Sequence, residues 1–137
     1  MDTVLVIMLK DKKTGFFEKE LASLNIEKND EYIVNMYAYE TKEGLKLNMR
    51  LSTERDVEDW EYEAIFDYYD TQVFENIAEN AEDIDDSYNP VWEITLDYGD
   101  DIGELEEKIV KVLECHKKEL NDVYETIADK KGEYTNE

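Results

Sequence analysis

The sequence predicts an α+β fold: an antiparallel sheet of five or six strands covered on one face by a short helix and a long C-terminal helix. Three observations carry this. Residues 45–51 and 91–98 alternate apolar and polar side chains with the period of two that a half-buried strand requires. Residues 102–131 repeat apolar side chains every three or four positions, the period of an amphipathic helix. And 137 residues, 42% of them apolar, suffice for one domain with a real core, residues 1–137, but not for two.

The elements follow in order. TVLVIML (3–9) is a short β-rich run, and KDKKTG turns the chain at Gly15 into a second strand over 16–22. EYIVNMYAYE (31–40) is rich in Tyr, Ile and Val, as strands are. TKEG returns it through 45–51, where Leu45, Leu47, Met49 and Leu51 face one way and Lys46, Asn48 and Arg50 the other.

VEDWEYEAIFDYY (57–69) fits both periods. As a helix it carries two opposed apolar faces; as a strand it points Trp60, Tyr62, Ala64, Phe66 and Tyr68 inward and Glu61, Glu63 and Asp67 outward. The strand buries the aromatics more economically. Paired with 45–51, it also sets Glu61 and Glu63 beside Lys46 and Arg50, so a strand is expected. A short helix is expected over 71–81, capped by Asp70 or Thr71, followed by an EDIDDSYNP loop and a strand over 91–98. Asp101 with Glu104 three residues on is a helix start, and Lys130-Lys131-Gly132 a stop. A helix of that length spans ~45 Å and would overhang a small sheet or join a partner helix.

Charge is the second strong signal. The chain has 15 basic and 37 acidic residues, net −22, against a magnitude of ~2–8 usual for a small soluble domain. Residues 54–107 hold 21 acids and one base, Arg55, whereas residues 1–53 and 108–137 are each net −1. Such a surface repels nucleic acid phosphate and anionic membrane, which argues against direct binding to either. Diffuse acidity serves solubility; acidity gathered into 54 residues asks for a second reason. A disordered insert does not explain it, because Trp60, Ile65, Phe66, Phe74, Trp92 and Ile94 lie in the same stretch. No apolar run approaches the ~18 residues of a membrane span, and Asp2 stands where a signal peptide carries positive charge. With the single Cys115 this reads as a cytoplasmic chain.

No reaction is written in the motifs. His116, the only histidine, sits among apolar helix positions and is read as a packing residue; Cys115 beside it points about 100° away, so the two do not form a nucleophilic pair. The Asp83–Asn89 stretch lacks the glycine and the glutamate of an EF-hand loop, and YGDDIG lacks phosphate-loop spacing. A glycosidase-like carboxylate pair would need burial or coupling to separate its pKa values, and nothing in the sequence marks one. No cofactor, metal or catalytic residue is assigned.

The expectation is therefore a non-enzymatic acidic protein that engages a basic, nucleic-acid-binding protein partner. Glu58, Asp59, Glu61, Glu63 and Asp67 would line one strand face with ~6.8 Å between alternate residues. Asp70 and the loop acids Glu82, Asp83, Asp85 and Asp86 would extend it. Carboxylates so spaced can stand in for backbone phosphates and draw in a basic groove over long range. In size, charge and clustering the chain is similar to the phage- and plasmid-borne DNA-mimic proteins that inhibit restriction or CRISPR nucleases, a resemblance that carries over no individual residue. Thirteen lysines against two arginines fit an AT-rich bacterial or phage genome. On this expectation, neutralising Glu61, Glu63 and Asp67 together weakens binding. The alternative is a small structural or regulatory domain that forms a homodimer through its long C-terminal helix, disrupted by a charge at Leu113 or Leu120.

Overall fold

A computed structural model describes residues 3–11, 13–99 and 101–135. Lys12 of the predicted first turn, Asp100 of YGDDIG and the chain ends with Asp2 lie outside the described residues. The fold is α+β, with strands β1 (Thr3–Lys10), β2 (Phe17–Ile26), β3 (Ile33–Thr41), β4 (Gly44–Ser52), β5 (Asn80–Ile84) and β6 (Val91–Asp97). The helices are α1 (Asp59–Tyr68), α2 (Ile102–Ile127) and the single turn and a half of α3 (Lys131–Thr135).

The six strands form one sheet in the order β2-β1-β3-β4-β6-β5. All pairings are antiparallel except β1 with β3. That exception follows from the route of the chain. β1 and β2 form a hairpin, and a 3-10 turn at Asp30–Tyr32 carries the chain past the end of β1 to its other edge. The two tight hairpin turns place Gly15 (φ 76°) and Gly44 (φ 115°) in the left-handed region, where a Cβ would be strained.

The core lies between one sheet face and the helices. Ile7, Leu24, Ala38, Leu47, Met49, Ile94 and Leu96 meet Leu105, Ile109, Val112, Leu113 and Leu120 of α2 there, all nearly or fully buried. β2 runs further than predicted because Leu24 and Ile26 continue into this core. β4 also departs from simple half-burial. Lys46 (9% exposed) and Asn48 (6%) are covered on the outer face too, since a central strand is flanked by the tyrosines of β3 and the carboxylates of β6. Lys46 reaches Asp97 and, at 2.8 Å, Glu79. Its hydrogen bonds to Asp97 and Glu79 raise the lysine pKa.

Residues 59–68 are a helix, not the expected strand. The edge of β4 that a strand here would have used is taken by β6 over seven register pairs, Lys46↔Asp97 to Ser52↔Val91. The two apolar faces that counted against a helix both find partners. Ala64 and Ile65 enter the core, while Phe66 packs on Trp92 at 5.5 Å between ring centroids and Tyr62 on Phe66 at 5.3 Å. The Glu61 carboxylate accepts from the Glu58 N–H at 3.0 Å, the return half of a capping box.

The helix expected over 71–81 is instead a 3-10 turn, Thr71–Phe74, followed by β5. Asp70 caps it as expected, its carboxylate accepting from the Gln72 N–H at 2.9 Å. Beyond Phe74 the chain pairs with the outer edge of β6, and the predicted loop begins only after Ile84. This pairing satisfies the backbone groups along the outer edge of β6, which a helix over 71–81 would have left open.

The long helix is as predicted at its start, the Asp101 carboxylate accepting from the Glu104 N–H at 3.2 Å. Asp101→Ala is expected to cost about 1 kcal/mol, read as a lower urea midpoint at unchanged slope. The helix ends at Ile127, its last buried residue, rather than at 131, and Gly132 lies inside α3 rather than acting as a left-handed stop. Buried positions run from Leu105 to Ile127, so no apolar length overhangs the domain. Leu113 and Leu120 are fully buried within the chain. A charge at either would unfold the protein rather than report on a helix-mediated dimer.

Candidate protein-binding surface

The predicted acidic residues fall on three parts of the fold. On α1, Asp59, Glu63 and Asp67 stand at i, i+4 and i+8 and are exposed, forming one stripe along the outer side of the helix. Successive carboxylates advance ~6 Å along the axis. Glu63 and Asp67 work against the helix that carries them. Like charges at i, i+4 destabilise it by ~0.2–0.5 kcal/mol, and Asp67 lies at the negative end of the helix dipole.

Glu58 and Glu61 are committed elsewhere. The Glu58 carboxylate accepts from the Trp60 indole N–H at 2.7 Å. Glu61 receives Arg55 through both guanidinium nitrogens, at 3.1 and 2.9 Å, which holds its carboxyl below the ordinary value. The pairing of Glu61 and Glu63 with Lys46 and Arg50 expected from a strand does not occur: Arg50 bonds Glu93 at 3.2 Å, and Lys46 bonds Glu79 and Asp97.

The loop after β5 completes the flank. Asn89 fastens it to the start of α1, accepting from the Val57 N–H at 3.0 Å and donating to Asp56 at 2.9 Å. Asp85 and Asp86 are exposed there and close enough to Tyr62 of α1 that, after burial, their negative charge contributes to raising its phenol pKa. The loop that carries Asp85 and Asp86 thus lies against α1, at its start and at Tyr62. Asp70 caps its 3-10 turn just beyond the helix. Glu82 and Asp83 separate: Glu82 lies opposite Glu93 on the sheet face away from the helices, and Asp83 opposite Trp92 on the helix side, where burial raises its carboxyl. Among the described residues, none of Asp59, Glu63, Asp67, Asp85 and Asp86 makes an ion pair.

Two participants escaped the sequence reading. The Tyr134 hydroxyl donates to Asp67 at 2.6 Å, and this bond pushes the phenol up to about 12. Lys130 stands 5.6 Å from the Tyr68 ring centroid. Both come from the segment after α2, which folds back on α1 once the helix stops at Ile127; only the apolar gap after that residue hints at it.

The histidine is structural. His116 is fully buried, with Nε2 2.8 Å from the Ser52 carbonyl and Nδ1 2.7 Å from the Tyr69 hydroxyl. A carbonyl only accepts, so Nε2 carries the proton and Nδ1 accepts from Tyr69. Burial lowers its pKa to about 4, and both ring nitrogens are occupied, leaving none for Cys115. Among the described residues no cluster of three His, Cys, Asp or Glu side chains is arranged to hold a metal ion. No described helix is long and apolar enough to cross a membrane.

No curated protein and no solved structure matches the chain. Its residues 1–135 match the model of a family of unknown function (DUF6762), and the chain belongs to that family.

Proposed function

We propose that this chain is a non-enzymatic binding protein whose acidic side, built from the α1 stripe Asp59, Glu63 and Asp67 and flanked by Asp85 and Asp86, engages a basic protein partner. The observation that carries the reading is that these five carboxylates are exposed and make no ion pair among the described residues, while the domain's central cations are spent on other acids. Glu63 and Asp67 also oppose the stability of the helix that carries them, so α1 itself gains nothing from either charge. Mimicry of nucleic acid is the more specific form. The ~6 Å steps of the stripe fall near every second phosphate of one DNA strand, which rises ~3.4 Å per nucleotide.

The test is capture from bacterial lysate on the immobilised full chain, eluted in salt steps. A discrete basic protein retained through about 0.15 M salt and released progressively above it supports the reading. Retention lost in the variant Asp59→Asn/Glu63→Gln/Asp67→Asn would place it on α1. Glu61 is left intact, because neutralising it would undo the Arg55 clamp and the start of the helix. Retention identical on wild type and variant would remove this surface from the account.

A further inference from the structure

The helices cover one face of the sheet, and the other is not evenly polar. β1 is apolar on both sides. Leu5, Ile7 and Leu9 point to the core, while the alternating Val4 (60% exposed), Val6 (45%) and Met8 point away from it. A strand apolar on both faces has the composition of one covered on both faces. Phe17, opposite Lys10 in the β1–β2 register, adds a ring that is 54% exposed and stands edge-on to Tyr37 at 6.5 Å. In a chain that is 38% charged, an apolar cluster left open on a sheet marks an interaction surface.

We infer that this open face over β1 and β2 is where a second copy of the chain docks, sheet against sheet. Charge selects the occupant. The strand order puts β1 and β2 at the end of the sheet opposite β5 and β6, and residues 1–53 are net −1 against −20 for residues 54–107. Two copies meeting here keep their acidic halves apart; a polycation finds its carboxylates elsewhere.

The patch is also self-complementary in charge. Lys10 stands over the Tyr37 ring at 4.5 Å, and Glu20, opposite Met8, accepts from the Ser23 hydroxyl at 3.0 Å. Neither makes an ion pair among the described residues. A two-fold axis brings the same patch to itself, so Lys10 of one copy can meet Glu20 of the other, twice per dimer. With Tyr37 of β3 at its border, the patch spans three strands over eight residues, a footprint of roughly 14 by 26 Å. That is small for an interface, so a weak, concentration-dependent dimer is expected.

Sedimentation equilibrium of the full chain, from about 5 to about 200 µM, tests this. A monomer–dimer equilibrium is expected, tightened as salt rises from about 0.05 to about 0.5 M because screening relieves repulsion between two copies of net charge −22. That salt trend is opposite to the one expected for a basic partner on α1, so the two readings fail separately. Val6→Lys, at an exposed position, should give a monomer with an unchanged thermal melt. Lys10→Glu and Glu20→Lys should each weaken association about tenfold or more, and the double exchange should recover it. A wild type that stays monomeric throughout, or a dimer indifferent to Val6→Lys and to the charge exchanges, overturns the inference.

Discussion

His116→Ala is expected to cost on the order of 3–5 kcal/mol, seen as a large drop in the urea midpoint. Three losses combine. The Ser52 carbonyl and the Tyr69 hydroxyl each lose a buried partner, and a ring-sized cavity opens beside Tyr32, Tyr69 and Trp92. The same residue gives stability a pH signature. Its folded-state pKa of about 4 lies below the ordinary value near 6.5, so the unfolded chain binds the proton more readily. Stability from this group is complete above about pH 6.5 and is lost as the pH falls toward 4, by up to about 3 kcal/mol. Many carboxylates also titrate at the lower end of that window. The informative quantity is therefore the difference between wild type and His116→Gln, which should shrink steadily from pH 7 to pH 4. A constant difference would contradict the neutral, buried histidine.

Trp92→Ala should be comparably severe. The indole is fully buried, stacks on Tyr69 at 4.1 Å and meets Phe66 and His116 at 5.5 and 5.2 Å, so it joins β6 to α1, α2 and the segment after α1. A loss of about 3–5 kcal/mol, or roughly 10–20 °C in melting temperature, is expected by circular dichroism. Because Trp92 and His116 touch, their combined replacement should cost less than the sum of the two single changes. Additive costs would mean that they support the fold independently.

What the sequence disclosed and what it concealed divide along the range of the forces involved. α2 was legible because a single face recurs from Leu105 to Ile127 and Asp101 supplies a cap next door. β4 and β6 were legible because alternation is local. α1 was not: its aromatics satisfy periods of two and of 3.6 alike, and its cap is Glu58, a residue type that gives no cap signal. What decided it was β6 occupying the edge of β4, a pairing between residues 39 to 51 positions apart in sequence. β5 hides for the same reason, since NAEDI holds only one strong strand former and is a strand because β6 needs an edge partner. At the candidate surface the acidity of the middle segment was plain, but its sorting was not. Glu61 leaves the exposed set through Arg55, Glu82 and Asp83 part to opposite sheet faces, and Tyr134 arrives at Asp67 from 67 residues away.

If the acidic side of α1 holds a basic partner, the affinity for that partner must depend on salt through Asp59, Glu63 and Asp67. The basic protein retained on the immobilised chain would be purified and titrated with wild type and with Asp59→Asn/Glu63→Gln/Asp67→Asn from about 0.05 to about 0.5 M salt. The wild-type affinity is expected to fall steeply with salt. The variant, still folded, should bind about tenfold or more weakly at low salt and with a shallower slope. Equal affinities and equal slopes for the two proteins would contradict a partner held on α1.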